Sequence, residues 1–195
     1  MAAKMHYGIY HVFMNEVDRP KFVDVMNRFI EFFRPAINAH FVSMVTSLSV
    51  IYDQGEKSVH IQGLLEEIEN LSGVDSNAVR VLKDRIEKNR PILKKMFRVR
   101  NNAIAHLSKN LSIEETFSKA RLTRNDLRDL IQDTMNILQE IGRLVGEDIS
   151  PYLPSSEDGT RAMLYELQMY REYGLAHPGE ILSFEQSRKN NERQF

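Results

Sequence analysis

The sequence predicts an all-α fold, an up-and-down helical bundle with an additional C-terminal helix. Three observations carry this expectation. Apolar residues recur at three- and four-residue spacing along most of the chain. No segment joins two-residue alternation to hairpin turn chemistry. The punctuation, Asp18 with Pro20, Gly55, Ser72-Gly73 and Thr123 with Asp126, falls where helices start and stop. A length of 195 residues, 42% hydrophobic and 27% charged, suits one domain with a sizeable core better than two. The expected division is a bundle over residues 1–150, then a linker, helix and polar tail over residues 151–195.

In chain order, Tyr7, Tyr10, Phe13, Met14 and Val17 mark a short amphipathic helix. Asp18 and Pro20 open the next, which carries Phe22, Val25, Met26, Phe29, Phe32 and Phe33. The period resumes beyond Pro35 at Phe41, Met44, Val45, Leu48, Ile51 and Tyr52. The expectation is therefore one long helix kinked at proline or two in succession, ended by Gly55. A shorter helix is expected over residues 61–71. A basic helix then starts at Asp75 or Ser76, is interrupted at Pro91, and leads on through Ile92, Leu93, Met96 and Phe97. Thr123, with Asp126 three residues later, has the form of a capping box. It opens a helix with Leu127, Leu130, Ile131, Ile137, Leu138, Ile141, Leu144 and Val145 on one face. Residues 151–159 read as a linker. Met163, Leu164, Leu167 and Tyr170 form a final helix stopped at Gly174, and the polar residues 187–195 are expected to be disordered.

Composition removes several classes of function. With no cysteine there is no disulfide, thiolate metal site or cysteine nucleophile, which fits a reducing compartment. The N-terminus lacks the apolar core of a secretory signal, so a cytoplasmic protein is expected. The apolar run over residues 41–52 is too short to span a bilayer, and no membrane association is expected. Six histidines show no i, i+4 pair and no Glu-x-x-His motif, so no metal and no other cofactor is expected. Walker, Rossmann and Gly-x-Ser-x-Gly patterns are absent.

The net charge of −1 hides an uneven distribution. From Arg80 to Lys109 ten basic residues stand against two acidic ones, a net +8 that leaves −9 on the remainder. A phosphate or anionic polymer would be drawn to such a block. The simpler reading is internal balance against acids such as Glu66, Glu67 and Glu69.

Within the block lies Arg98-Val-Arg-Asn-Asn-Ala-Ile-Ala-His-Leu-Ser-Lys-Asn110, which joins arginine, two amides and a histidine inside an apolar helical pattern. Arginine offers a permanent charge and a rigid fork suited to phosphate, and histidine exchanges protons near neutral pH. On one regular helix Leu93, Met96, Phe97, Arg100, Ile104 and Leu107 share a stripe. That places Arg100 among apolar neighbours, where a guanidinium needs a partner or an opening. Lys95, Arg98, Asn102 and His106 form a second stripe. Arg100 and His106 then stand roughly 120° apart, so either the helix breaks or bends near residues 98–102 or two copies share one cleft across a twofold axis.

The stretch resembles the signature of the HEPN superfamily, in which Arg and a polar residue are followed, after four to six positions, by His. Arg100, Asn101 and His106 fit, and Arg-Asn-Asn-Ala-Ile-Ala-His is similar to the Arg-Asn-x-x-x-Ala-His form of abortive-infection-type members. The resemblance implies a metal-independent endoribonuclease acting as a toxin or antiphage effector, and a homodimer with a composite site. It implies that His106 handles the proton of the attacking ribose 2′-hydroxyl and that Arg100 stabilises the phosphoryl charge. Asn101 and Asn102 support them, and Lys95, Arg98 and Lys109 hold RNA phosphates. An antitoxin protein is a further possible partner. Some relatives carry a tyrosine two residues after the histidine where a partner modifies it; this chain has Ser108, which argues against that arrangement.

Two other readings stand beside this one. The same surface suits a noncatalytic helical module that binds RNA, nucleotide or a protein partner. A plainer possibility is an interaction protein in which Arg100 merely pairs with a carboxylate across a helix interface.

Overall fold

The computed structural model describes residues 2–55, 60–105, 113–149 and 155–177. Among these residues the chain is all-helical, with no strand. The first helix, α1 (Ala2–Met14), buries Tyr7, Tyr10, Phe13 and Met14 on the expected face. Val17 falls in the following turn and is exposed. Asp18 precedes α2 (Arg19–Arg28), with Pro20 in its first turn, but its carboxylate makes no cap. The carboxylate instead accepts from Asn15 at 2.8 Å and from Arg161 at 3.0 Å.

The long aromatic segment is two helices, yet the break lies at Phe29 and not at Pro35. Phe29 leaves helical geometry (φ −110, ψ 38), and α3 (Ile30–Tyr52) carries Pro35 inside it. Pro35 sits in the second turn of α3 on its exposed side, where it removes one backbone donor. The break turns Phe33 into the core and leaves Phe29 and Phe32 exposed. The same helix ends at Tyr52, three residues short of Gly55, with Asp53 already extended (φ −76, ψ 111).

Helix α4 (Ile61–Glu69) is capped by His60 and closes in a turn where Gly73 takes φ 87, a conformation that favours glycine. Asp75 caps α5 (Ser76–Lys88) by accepting from the Asn77 amide at 2.9 Å. Pro91 lies in the first turn of the next helix, α6 (Arg90–Ala105), so it opens a helix as much as it interrupts one. Because α6 runs unbroken through residues 98–102, the break considered for that stretch is absent. A helix the sequence pattern left unassigned, α7 (Ile113–Ala120), precedes the capping box. The box itself forms reciprocally: the Asp126 amide donates to Thr123 Oγ1 at 3.0 Å, and the Thr123 amide donates to Asp126 Oδ2 at 2.9 Å. It starts α8 (Arg124–Leu144), which buries Leu127, Leu130, Ile131, Ile137 and Ile141.

The last helix, α9 (Ser156–Ala176), begins earlier and ends later than the sequence suggests. Ser155 caps it by accepting from the Asp158 amide, so Gly159 lies inside the helix, which also passes through Gly174. It buries Leu164 but leaves Met163 and Tyr170 exposed.

The core is the space between α1, α3, α6 and α8, filled by Tyr10, Phe33, Phe41, Met44, Leu48, Met96, Leu127 and Leu130. Helix α1 packs chiefly on α3, α3 on α6, and α9 lies against α1 and α2. The approach of α9 is close: a Cβ on Gly8 would stand 2.3 Å from the Ser156 hydroxyl, which donates to the Met5 carbonyl at 2.9 Å. No helix among the described residues is long and apolar enough to cross a membrane.

Candidate functional site

Helix α6 places Leu93 and Met96 in the core with Val99, and carries Phe97 and Arg100 to the edge of that core. The guanidinium is therefore not swallowed. The Arg100 side chain is 25% exposed, and its Nη1 donates to Asp53 Oδ2 at 2.7 Å. Its Nε donates to Asn101 Oδ1 at 3.1 Å, and Cζ lies 4.9 Å from the centre of the Phe97 ring. An ion pair, an amide and an aromatic face thus fix the guanidinium at an opening, the condition under which a charge on an apolar stripe is affordable.

Asp53 reaches this position because α3 stops just before it. The stop is anchored by Tyr52, whose hydroxyl lies 2.7 Å from Thr134 Oγ1 in the buried core between α3 and α8. Thr134 has one hydroxyl proton and donates it to the Leu130 carbonyl at 2.6 Å, so Tyr52 is the donor of the pair. Burial pushes the Tyr52 hydroxyl up to about 12, which keeps that donor protonated. On the other side, Asp133 of α8 accepts from Arg85 and, at 2.5 Å, from Asn89, fixing the corner where α5 turns into α6.

Between these elements lies a cleft of about 310 Å³. Asp53 and His60 form part of one wall; Arg90, Lys94, Phe97 and Arg100 form the α6 wall. His60 caps α4 by accepting from the Gly63 amide on Nδ1 at 3.0 Å, which assigns the proton of the neutral ring to Nε2. Gly63 leaves room for that ring, since a Cβ there would stand 3.2 Å from its Cε1.

Of the residues singled out from the sequence, Arg100 and Asn101 meet directly. Lys95 and Arg98 lie on other faces of α6, outside the cleft. Lys95 Nζ is 3.9 Å from Asp126 Oδ2, and Arg98 is exposed. For Asn102 the backbone within α6 is described and the side chain is not, and His106 and Lys109 lie outside the described residues. Sequence reading missed Asp53 and His60. The signal for Asp53 was its place directly after the last apolar position of a long helix, and for His60 its place directly before an apolar helix start.

The basic block is partly neutralised at home. Lys83 meets Glu69 at 2.5 Å, Arg85 meets Asp133, and Arg90 meets Glu87 at 2.7 Å. The balancing acids are thus Glu69, as the simpler reading expected, Asp53 at the end of α3, and carboxylates on α5 and α8. Among the described residues of the block, Arg80, Lys88, Lys94 and Arg98 have no carboxylate within ion-pair distance, so the unpaired positive charge is spread along α5 and α6. No group of three or more His, Asp or Glu suited to a metal ion occurs among the described residues.

The chain matches no curated protein and no solved structure. The model of the AbiU2 family of HEPN proteins matches residues 2–163, which takes in every helix around the core and the whole of the Arg100 cleft. With that match over most of its length and an all-helical bundle to accompany it, the chain belongs to the abortive-infection-type HEPN family AbiU2.

Proposed function

We propose that this protein is a metal-independent endoribonuclease, an antiphage or toxin-like effector of the cytoplasm, that cuts RNA at a site shared between two copies of the chain. The observation that best supports the reading is Arg100, held in place by Asp53 yet a quarter exposed at the mouth of a cleft. Guanidinium groups so fixed act on developing phosphoryl charge without reorganising.

In the reaction, His106 accepts the proton of a ribose 2′-hydroxyl as the 2′ oxygen bonds to phosphorus. The bond from phosphorus to the 5′ oxygen breaks, and that oxygen takes up a proton. Arg100 stabilises the charge on the non-bridging oxygens. Asn101 or Asn102 orients the imidazole or donates to phosphate, and Lys95, Arg98 and Lys109 attract the RNA backbone without regard to sequence. The products end in a 2′,3′-cyclic phosphate and a 5′-hydroxyl. Continuity of α6 through residues 98–102 favours the twofold arrangement, in which one copy supplies the arginine and the other the histidine. A protein antitoxin, one that does not act on a tyrosine at position 108, completes the expected partners.

One observation favours a second reading. The Asp53 ion pair satisfies Arg100 without any ligand, as it would in a noncatalytic module that binds RNA, nucleotide or protein. Incubating the purified protein with RNA in EDTA separates the two. Cleavage that disappears in His106→Ala supports the enzyme, and restored cleavage on mixing inactive Arg100→Ala with inactive His106→Ala supports the shared site. Binding without cleavage supports the module.

A further inference from the structure

The cleft beside Arg100 has more chemistry than phosphate stabilisation requires. It follows α6 from Arg90 to Arg100, a length of about 15 Å at 1.5 Å per residue. Arg90, Lys94 and Arg100 are spaced along that length, with the Phe97 ring between the last two. Glu87 and Asp53, also in the lining, pair with Arg90 and Arg100, which leaves Lys94 as the cation of the cleft without a carboxylate partner among the described residues. Opposite them, where α3 ends and α4 begins, the lining includes Gln54 and Gln62, two side chains that end in amides. A row of cations interleaved with an aromatic ring is the arrangement that tracks a single-stranded nucleic acid backbone and receives its bases. Amides supply paired donor and acceptor atoms that match the edges of unstacked bases. A cleft of about 310 Å³ lies at the small end of ligand pockets, roughly 300–1,000 Å³, which suits one nucleotide and not a duplex.

Resting on the ribonuclease reading, we infer that this cleft is a base-selecting subsite for one nucleotide of single-stranded RNA beside the phosphate that Arg100 grips. Gln54 and Gln62 read the base edge. Lys94, which has no carboxylate partner among the described residues, holds the phosphate on the far side of that nucleotide. The cleft thereby sets which base stands next to the cut.

The test measures binding in the His106→Ala protein, so that no RNA is consumed. Short oligoadenylate, oligocytidylate and oligouridylate, and the free mononucleotides AMP, CMP and UMP, are titrated by fluorescence anisotropy or competition. The three oligomers are expected to bind with affinities that differ by about tenfold or more, each tighter than its mononucleotide. Gln54→Ala with Gln62→Ala levels that ranking, whereas Lys94→Ala weakens all three about equally and flattens the salt dependence. An unchanged ranking in the double glutamine variant overturns the subsite while leaving the nuclease standing, because cleavage by the parent protein is scored separately. Mononucleotides that bind as tightly as oligomers overturn it in favour of a free-nucleotide site. Failure of every RNA to bind overturns the subsite together with the reading it rests on.

Discussion

Nη1 of Arg100 donates to Oδ2 of Asp53 at 2.7 Å, joining residues 47 positions apart in the chain. The pair clips the end of α3 to α6 at the mouth of the cleft. Both side chains keep contact with solvent, 25% exposed for Arg100 and 48% for Asp53, and that decides how the pair answers to mutation. Exposed ion pairs contribute little to stability, whereas a fixed guanidinium at a reacting phosphate contributes much to rate.

Arg100→Ala therefore folds. Loss of the pair costs about 1 kcal/mol or less, which lowers the melting temperature by roughly 2–4 °C in a chain of this size. RNA cleavage falls by about a hundredfold or more. Circular dichroism melts and cleavage assays on the same preparation check both halves; a collapse of the fold would place Arg100 in the scaffold instead.

Asp53→Asn separates positioning from charge. Removing a negative charge from the cleft tightens RNA binding severalfold, while Arg100, no longer held by a charged partner, works less well on bound substrate. The expected signature is a lower Kd with a lower kcat. A fall in affinity would show that Asp53 serves the ligand and not Arg100.

Tyr52→Phe loosens the anchor behind Asp53. The buried bond to Thr134 is worth about 1 kcal/mol, or a few degrees in melting temperature. The pH dependence has a definite sign. Tyr52 titrates near 12 when folded and near 10.0 when not. Its contribution is complete below pH 10 and is lost as the pH rises through 12, because the unfolded chain gives up the proton first. Melting curves from pH 9 upward should steepen downward in the parent more than in Tyr52→Phe.

On the acid side, the packing of α1 against α3 makes one contribution. Nδ1 of His6 and Nδ1 of His40 stand 2.9 Å apart, and burial, then the neighbouring His6 ring, pushes His40 below its ordinary 6.5. As the pH falls below 6.5 the unfolded chain is protonated first, so this contribution is complete above 6.5 and is lost through the depressed range. His40→Gln removes that part of the slope; an identical acid profile in the variant would assign the sensitivity elsewhere.

Much of this architecture is legible from local chemistry. Thr123 and Asp126 announce a helix start because both halves of the capping box lie within four residues, and Ser72-Gly73 announces a turn because only glycine takes φ 87 cheaply. Arg100 is conspicuous for the same reason, as a charge on an apolar stripe. What resolves it is not local. Periodicity assigns faces, not partners, so nothing in the pattern names Asp53 across 47 positions or brings His60 to the same cleft. The break at Phe29, with no glycine or proline to signal it, follows from turning Phe33 into the core. Helix α9 buries Leu164 against the bundle and continues past Gly174 with Tyr173 and Leu175 exposed, so a lone glycine in a helical run does not by itself mark the end.

The most direct test of the central claim follows a single phosphodiester. An oligonucleotide with one ribonucleotide in a deoxyribonucleotide background is incubated with the protein in EDTA, and the product ends are identified. The expected result is one cut, 3′ of the ribonucleotide, leaving a 2′,3′-cyclic phosphate, with about a hundredfold less product or lower still from Arg100→Ala and from His106→Ala. Cleavage of the all-deoxyribonucleotide control, or wild-type cleavage by either variant, would contradict it.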